Sequence, residues 1–319
     1  MSNVAPAERA QVCGGDPSAA ILQEIAPVTV ELGAISVRRL LPRRERRLVG
    51  PWCFIDVFGP VAQGSGKVMD VPPHPHIGLQ TVTWLFEGDA VHKDSLGSEA
   101  LATPGTLNLM TAGRGIAHSE ETPAGAKGNL HGVQLWLALP DEHREVEPAF
   151  DHYRQRPEVD VPGGRATVIL GRMWEVAARG RTFSPVVAAE LTADRAPRMI
   201  VPLDGTFEHA LLPIDPGYVL DDRPLAPDTL YYLGTGREEI CLRMHAGGRS
   251  PRALLLGGRP LGETVLMWWN FVARTTEEIV SARDDWQAGR RFGEVAAYAG
   301  PRLEAPPFVA RPVPANPMS

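Results

Sequence analysis

His74-Pro75-His76-Ile77-Gly78-Leu79-Gln80-Thr81-Val82-Thr83-Trp84-Leu85-Phe86-Glu87-Gly88 decides how this chain is read. From Leu79 to Phe86 it is dense in β-branched and aromatic residues, and Glu87-Gly88-Asp89 then makes a turn. That pattern predicts a strand with a sharp end. Just ahead, His74 and His76 are spaced i, i+2, which in extended chain puts both imidazoles on one face. The same spacing returns in His118-Ser119-Glu120. If the two strands are neighbours, three imidazoles and one carboxylate converge on one point. That donor set suits a first-row transition metal rather than calcium or magnesium, which take all-oxygen shells. Histidines beside a proline also cap turns, and a lone buried histidine is ordinary. Clustering tips the balance: five of the nine histidines fall between His74 and His131.

The rest of the chain sets the frame. A length of 319 residues suggests about two domains. The 32 glycines and 30 prolines punctuate many short apolar runs, which reads as short strands joined by turns, an all-β class. The net charge of −6 argues against general nucleic-acid binding. Arg38, Arg39, Arg43, Arg44, Arg46 and Arg47 crowd one segment, but no aromatics interleave with them. They read as a solvated loop face or an anion contact. Cys13, Cys53 and Cys241 form no CxxC pair, so they are expected reduced, as in a cytoplasmic protein. No secretory signal or membrane-length apolar run is found.

Along the chain, a short helix is expected near Ala19–Ile25 and one or two strands over Val28–Leu41. Trp52–Phe58 reads as a strand ended by Gly59-Pro60, and His131–Leu139 as a half-buried strand. Pro140–Pro162 is polar and reads as connecting chain. Thr275-Thr276-Glu277-Glu278 is a capping box, with Ile279, Ala282 and Trp286 on one helical face and Gly289 at the C-terminal cap. Beyond Gly300 the chain is proline-rich.

At this point a resemblance becomes specific. The run from His74 to Gly88 and the run Met110-Thr111-Ala112-Gly113-Arg114-Gly115-Ile116-Ala117-His118-Ser119-Glu120 resemble the pirin family. Trp52–Pro60, Leu256–Glu263 and the helix Thr276–Arg290 are similar to pirin segments too. The resemblance implies tandem cupin (double-stranded β-helix or jelly-roll) barrels, with few helices, one of them near the C-terminus. The implied layout is a leader at 1–27, a metal-binding N-terminal cupin at 28–147, a linker at 148–165, a C-terminal cupin without metal at 166–298, and a tail at 299–319. It implies one divalent metal, Fe(II) in the family's usual form, with Zn, Mn, Ni or Cu as alternatives, on His74, His76, His118 and Glu120.

Pirins are known both as quercetin 2,3-dioxygenases and as co-regulators that bind transcription factors. The first reading implies a polyphenol substrate and O2, with Glu120 as ligand, as base, or as both in turn. The alternative is a redox-dependent, protein-binding regulator using the Arg38–Arg47 surface, and a purely structural bicupin is a third. Phe54, Gln80, Trp84, Met110 and Trp136 are candidate pocket residues. Gln80 stands where general cupins place a Glu ligand, so its expected role is to orient a histidine or a water. His92 and Asp94 form another i, i+2 pair, read as a nearby surface strand. His131 is left open between core and ligand support. His209 and His245 stand alone in the second half.

Overall fold

A computed structural model describes residues 21–32, 35–63, 68–154, 157–194, 197–244, 251–307 and 313–314. The expected leader lies outside these residues as far as residue 20, as does most of the expected tail beyond 307. By contacts the chain divides into two compact units, one built from residues 28–155 and 261–319, the other from 1–27 and 156–260.

In the first unit the strands are β2 (Val28–Leu32), β3 (Ile35–Leu41), β4 (Trp52–Gln63), β5 (Asp70–His76), β6 (Leu79–Glu87), β7 (Ala90–Asp94), β8 (Glu99–Ala102), β9 (Leu107–Thr111), β10 (Ile116–Glu121), β11 (Gly128–Ala138) and β12 (Ala149–Tyr153), with β1 (Gln23–Ile25) belonging to the other unit. They form a seven-stranded antiparallel sheet, β12-β9-β6-β11-β4-β3-β2, and a four-stranded one, β5-β10-β7-β8. This is a cupin, although the sheets remain separate rather than joining into one ring.

The larger sheet is buried on both faces over β6 and most of β4, so its strands read as continuous apolar runs instead of alternating ones. β4 does not stop at Gly59-Pro60, as the sequence predicts, but continues to Gln63, with a register shift opposite Leu130–Gly132. Gly59 takes φ +74°, and a Cβ there would run into the Leu130 carbonyl, so glycine is what lets the paired strand pass.

The second unit repeats the plan. Its larger sheet runs Gln23–Ile25, Leu230–Gly234, Glu208–Pro213, Arg252–Gly258, Val186–Ala193, Gly164–Met173, Glu158–Val161, and its smaller one Arg198–Pro202, Glu239–Met244, Tyr218–Leu220, Arg223–Pro224. Met199, Leu211, Tyr218, Tyr231 and Leu255 fill the space between them.

Two expectations are corrected. Gln23–Ile25 is a strand paired with Leu230–Tyr232, not part of a helix. The stretch expected as linker carries two strands, Ala149–Tyr153 on the first unit's sheet and Glu158–Val161 on the second's. By contacts, Leu261 onward groups with the first unit. Of the cysteines, Cys53 is a buried free thiol, whereas Cys241 is in a disulfide, which departs from the reduced state expected.

The returning segment supplies a short hairpin, Leu266–Trp268 and Phe271–Ala273, then helix α1 (Thr276–Gln287). The capping box forms as the sequence predicts: the Glu278 N–H donates to Thr275 Oγ1, and Glu278 accepts from the Thr275 N–H. Ile279, Ala282 and Trp286 face Ile77 and Ala117 of the first unit. Trp286 Nε1–H donates to the Leu303 carbonyl at 2.8 Å, and the Leu303 N–H donates to Pro73 O at 2.8 Å. The returning chain is thereby laid along the strand that carries the two histidines.

Candidate metal centre

β5 and β10 are antiparallel neighbours, with His118 opposite His74. The two strands are thus neighbours, and the imidazoles of His74, His76 and His118 gather with one ring nitrogen of each within 4.8 Å of the others. Among the described residues this is the only group of three or more His, Cys, Asp or Glu side chains drawn together closely enough to hold an ion.

The hydrogen bonds fix two of the tautomers. His74 Nδ1 lies 2.9 Å from Pro72 O and His76 Nδ1 lies 3.0 Å from Asn270 O. A carbonyl only accepts, so both Nδ1 atoms carry the proton and both Nε2 atoms present bare lone pairs. His76 Nε2 faces His118 Nε2 at 3.1 Å. Facing lone pairs repel unless a proton or a cation sits against them, and three convergent imidazole nitrogens suit a divalent ion.

Burial lowers the pKa of His74 to about 4 and holds those of His76 and His118 well below 6.5, with mutual repulsion adding to it. Neutral imidazoles are what a metal requires at neutral pH. Metal-free protein is therefore expected to lose stability as pH falls. Unfolded histidines protonate below about 6.5 while the folded ones resist down to about 4, so the unfolded state binds more protons across that interval. Above 6.5 these groups contribute no pH dependence. Glu120 acts in the opposite sense, since burial raises its carboxyl pKa, but one group stands against three. The melting temperature of chelator-treated protein is expected to be lower at about pH 5 than at about pH 7.5; a flat profile would contradict this.

Glu120 stands two residues beyond His118 and opposite His92 on β7. Its carboxylate is not part of the three-imidazole group. Instead, Thr83 Oγ1 lies 3.3 Å from Glu120 Oε1 and donates more closely, at 2.8 Å, to Gln134 Oε1.

These contacts identify the inner face of the larger sheet. Paired residues make two rows across it. One row is apolar apart from Thr81: Phe150, Met110, Thr81, Trp136, Phe54. The other is polar: His152, Asn108, Thr83, Gln134, Asp56, Arg39. In the polar row Arg39 holds Asp56 through two hydrogen bonds of 2.9 and 2.8 Å, and its guanidinium lies 4.5 Å over Phe54. Arg43 pairs with Glu45, so this arginine segment is partly neutralised from within.

Of the candidate pocket residues, Phe54, Met110 and Trp136 share one apolar cluster. Trp136 stacks on Phe54 at 3.9 Å and meets His76 edge-on at 5.0 Å. Its buried Nε1–H has no hydrogen-bond partner. Gln80 and Trp84 are corrected. They alternate with Leu79, Thr81 and Thr83 and so take the opposite face of β6, where Gln80 Nε2–H donates to Thr111 Oγ1 at 2.8 Å.

His92 and Asp94 are corrected as well. They are buried, not on a surface strand, and they face the same interior as His118. His131 meets Phe86 edge-on, with ring centroids 5.1 Å apart. His209 is buried with no second histidine beside it among the described residues, and His245 lies outside them.

Two tandem cupins, the first with three imidazoles gathered on its inner face, define the class: a bicupin with a site for a divalent metal. Comparison with known proteins agrees. Residues 34–137 match the family described as Pirin, and residues 188–293 match the Pirin C-terminal cupin domain. A Pseudomonas aeruginosa protein provisionally named quercetin 2,3-dioxygenase is 43% identical over 290 residues, covering 90% of this chain and 91% of the relative. A pirin-like protein of Caulobacter vibrioides is 35% identical, covering 82% and 91%. The crystal structure of a quercetin 2,3-dioxygenase from Acinetobacter baumannii superposes with a TM-score of 0.86 at 40% identity, covering 91% of this chain and 97% of that one. The chain belongs to the pirin family. No helix among the described residues is long and apolar enough to cross a membrane.

Proposed function

We propose that this protein is a non-haem metal dioxygenase that opens the heterocycle of quercetin-like flavonols with O2. The observation carrying the proposal is the convergence of three imidazoles beside a buried aromatic wall, in a chain whose similar relatives bear that activity in their names. Iron(II) is the proposed ion, held by His74, His76 and His118 with Glu120 as a fourth donor. When bound, it supplies a Lewis-acid centre at which a flavonol and O2 can meet.

The chain's residues do the rest. Phe54, Met110 and Trp136 give a flat aromatic substrate an apolar wall, and Trp136 Nε1–H is a donor with no internal claim on it. Thr83 Oγ1–H and Gln134 present polar groups one row away, matched to a ligand with hydroxyls along one edge. Glu120 Oε1 would accept the proton of the flavonol hydroxyl, a role suited to a carboxyl whose pKa burial has raised.

Both atoms of O2 would enter the opened ester and one ring carbon would leave as carbon monoxide, so no outside reductant is needed. Oxygen uptake should match flavonol loss in iron-loaded protein and stop when a chelator removes the ion. Absence of oxygen uptake with any flavonol at full metal occupancy would overturn the proposal.

A further inference from the structure

His118 differs from the other two histidines in what holds its far nitrogen. His74 and His76 each donate Nδ1–H to a backbone carbonyl. His118 Nδ1 instead faces His92 Nδ1 at 3.3 Å, and His92 Nε2 faces Asp94 Oδ2 at 3.2 Å. The His92 ring lies flat on Phe150, with centroids 4.0 Å apart and planes 4° from parallel, so its plane is fixed. Asp94 is buried and fixed as well, since its other oxygen accepts the N–H groups of Leu96 and Ser98 at 2.9 Å each.

An ionised carboxylate can only accept. A neutral His92 therefore carries its proton on Nε2, which leaves Nδ1 with a lone pair. Facing that lone pair, His118 must carry its proton on Nδ1, which leaves Nε2 free. Each assignment forces the next.

We propose that Asp94 and His92 are positioning residues for His118, a carboxylate–imidazole–imidazole chain that fixes the tautomer and ring plane of the third metal-binding histidine. This rests on the reading of His74, His76 and His118 as a metal centre. A carboxylate behind a ligating imidazole is a general device for orienting it; here a second imidazole is interposed between the two. Hydrogen bonds within the turn also suffice to explain Asp94 as a turn residue alone, so the test must separate the two roles.

Asp94→Asn does so. The asparagine Oδ1 can keep the Leu96 and Ser98 N–H groups, so the turn survives. Its amide N–H2 then faces His92 Nε2 as a donor, which reverses the direction of the chain and places a proton between the two Nδ1 atoms from the wrong side. Zinc(II) serves as probe, being diamagnetic and taking imidazole readily. Zinc affinity, measured by chelator competition, is expected to fall by about 10- to 100-fold in Asp94→Asn. His92→Phe, which keeps the stack on Phe150, is expected to lose a comparable factor with a melting temperature near that of the wild type. In zinc-loaded wild-type protein, nitrogen-15 spectra of the histidines are expected to show His92 protonated on Nε2 and not on Nδ1.

Protonation of His92 on Nδ1 in that spectrum overturns the proposal even if a variant fails to fold. So does a zinc affinity within twofold of wild type in folded Asp94→Asn. His118→Ala keeps the two questions apart. If it binds zinc as well as the wild type, the metal centre itself is wrong; if it loses zinc while Asp94→Asn does not, only the positioning chain is wrong.

Discussion

His76→Ala is expected to lower divalent-metal affinity by more than about 100-fold, beyond the range seen when only an orienting partner is lost, and to abolish flavonol-dependent oxygen uptake with it. His76 is central to the group: its Nε2 faces that of His118, its Nδ1–H is tied to Asn270, and its ring stands edge-on to Trp136. Removing it leaves two imidazoles and the proposed Glu120 carboxylate, one donor short of the full set. Among the described residues no other His, Cys, Asp or Glu belongs to the three-imidazole group to replace it. Metal analysis after purification, followed by titration with a chelator of known affinity, measures the effect. Retention of a full equivalent of metal in His76→Ala would remove this residue from the centre and the proposed activity with it.

Gly78→Ala should be nearly as damaging, although residue 78 carries no chemistry. Gly78 has φ +67°, and a Cβ there would collide with the Val272 carbonyl. Val272 belongs to the returning hairpin. Its N–H donates to Ile77 O at 3.1 Å, and Phe271 is bridged to Ile77. Added bulk pushes away the segment whose Asn270 carbonyl holds His76. The left-handed backbone and the overlap together cost about 3 kcal/mol or more, and metal affinity should fall alongside the melting temperature. Gly125→Ala is the control. That glycine has φ +76° but open space around it, so it incurs the backbone cost alone. Equal losses of melting temperature in the two variants would show that contact with Val272 is not what matters.

What the sequence made legible follows from what a period of two can say. It says which residues share a face, and so it pairs His74 with His76 and His118 with Glu120; of these four, the structure gathers the three histidines. It does not say which face looks inward. His92 and Asp94 were therefore seen as a pair and placed on the outside, while Gln80 and Trp84 were credited to the wrong side of β6. A strand buried on both faces, such as Leu79–Glu87, has no polar side to orient it.

The capping box at Thr275 was legible because every residue in it is local. The attachment of the returning segment to the first cupin was not, since nothing near His76 in the chain announces a carbonyl 194 residues further on. The strand Ala149–Tyr153, hidden in a polar stretch, pairs with β9 for the same reason: its partner, not its own composition, makes it a strand.

That distant carbonyl bears on how the protein is made. During synthesis the first cupin emerges with all three histidines well before Asn270, the Phe271 bridge and α1 exist. Until they arrive, the Asn270 carbonyl is not there to hold the His76 ring. The lock on the His76 ring is thereby deferred until residue 270 has emerged and the returning hairpin has docked.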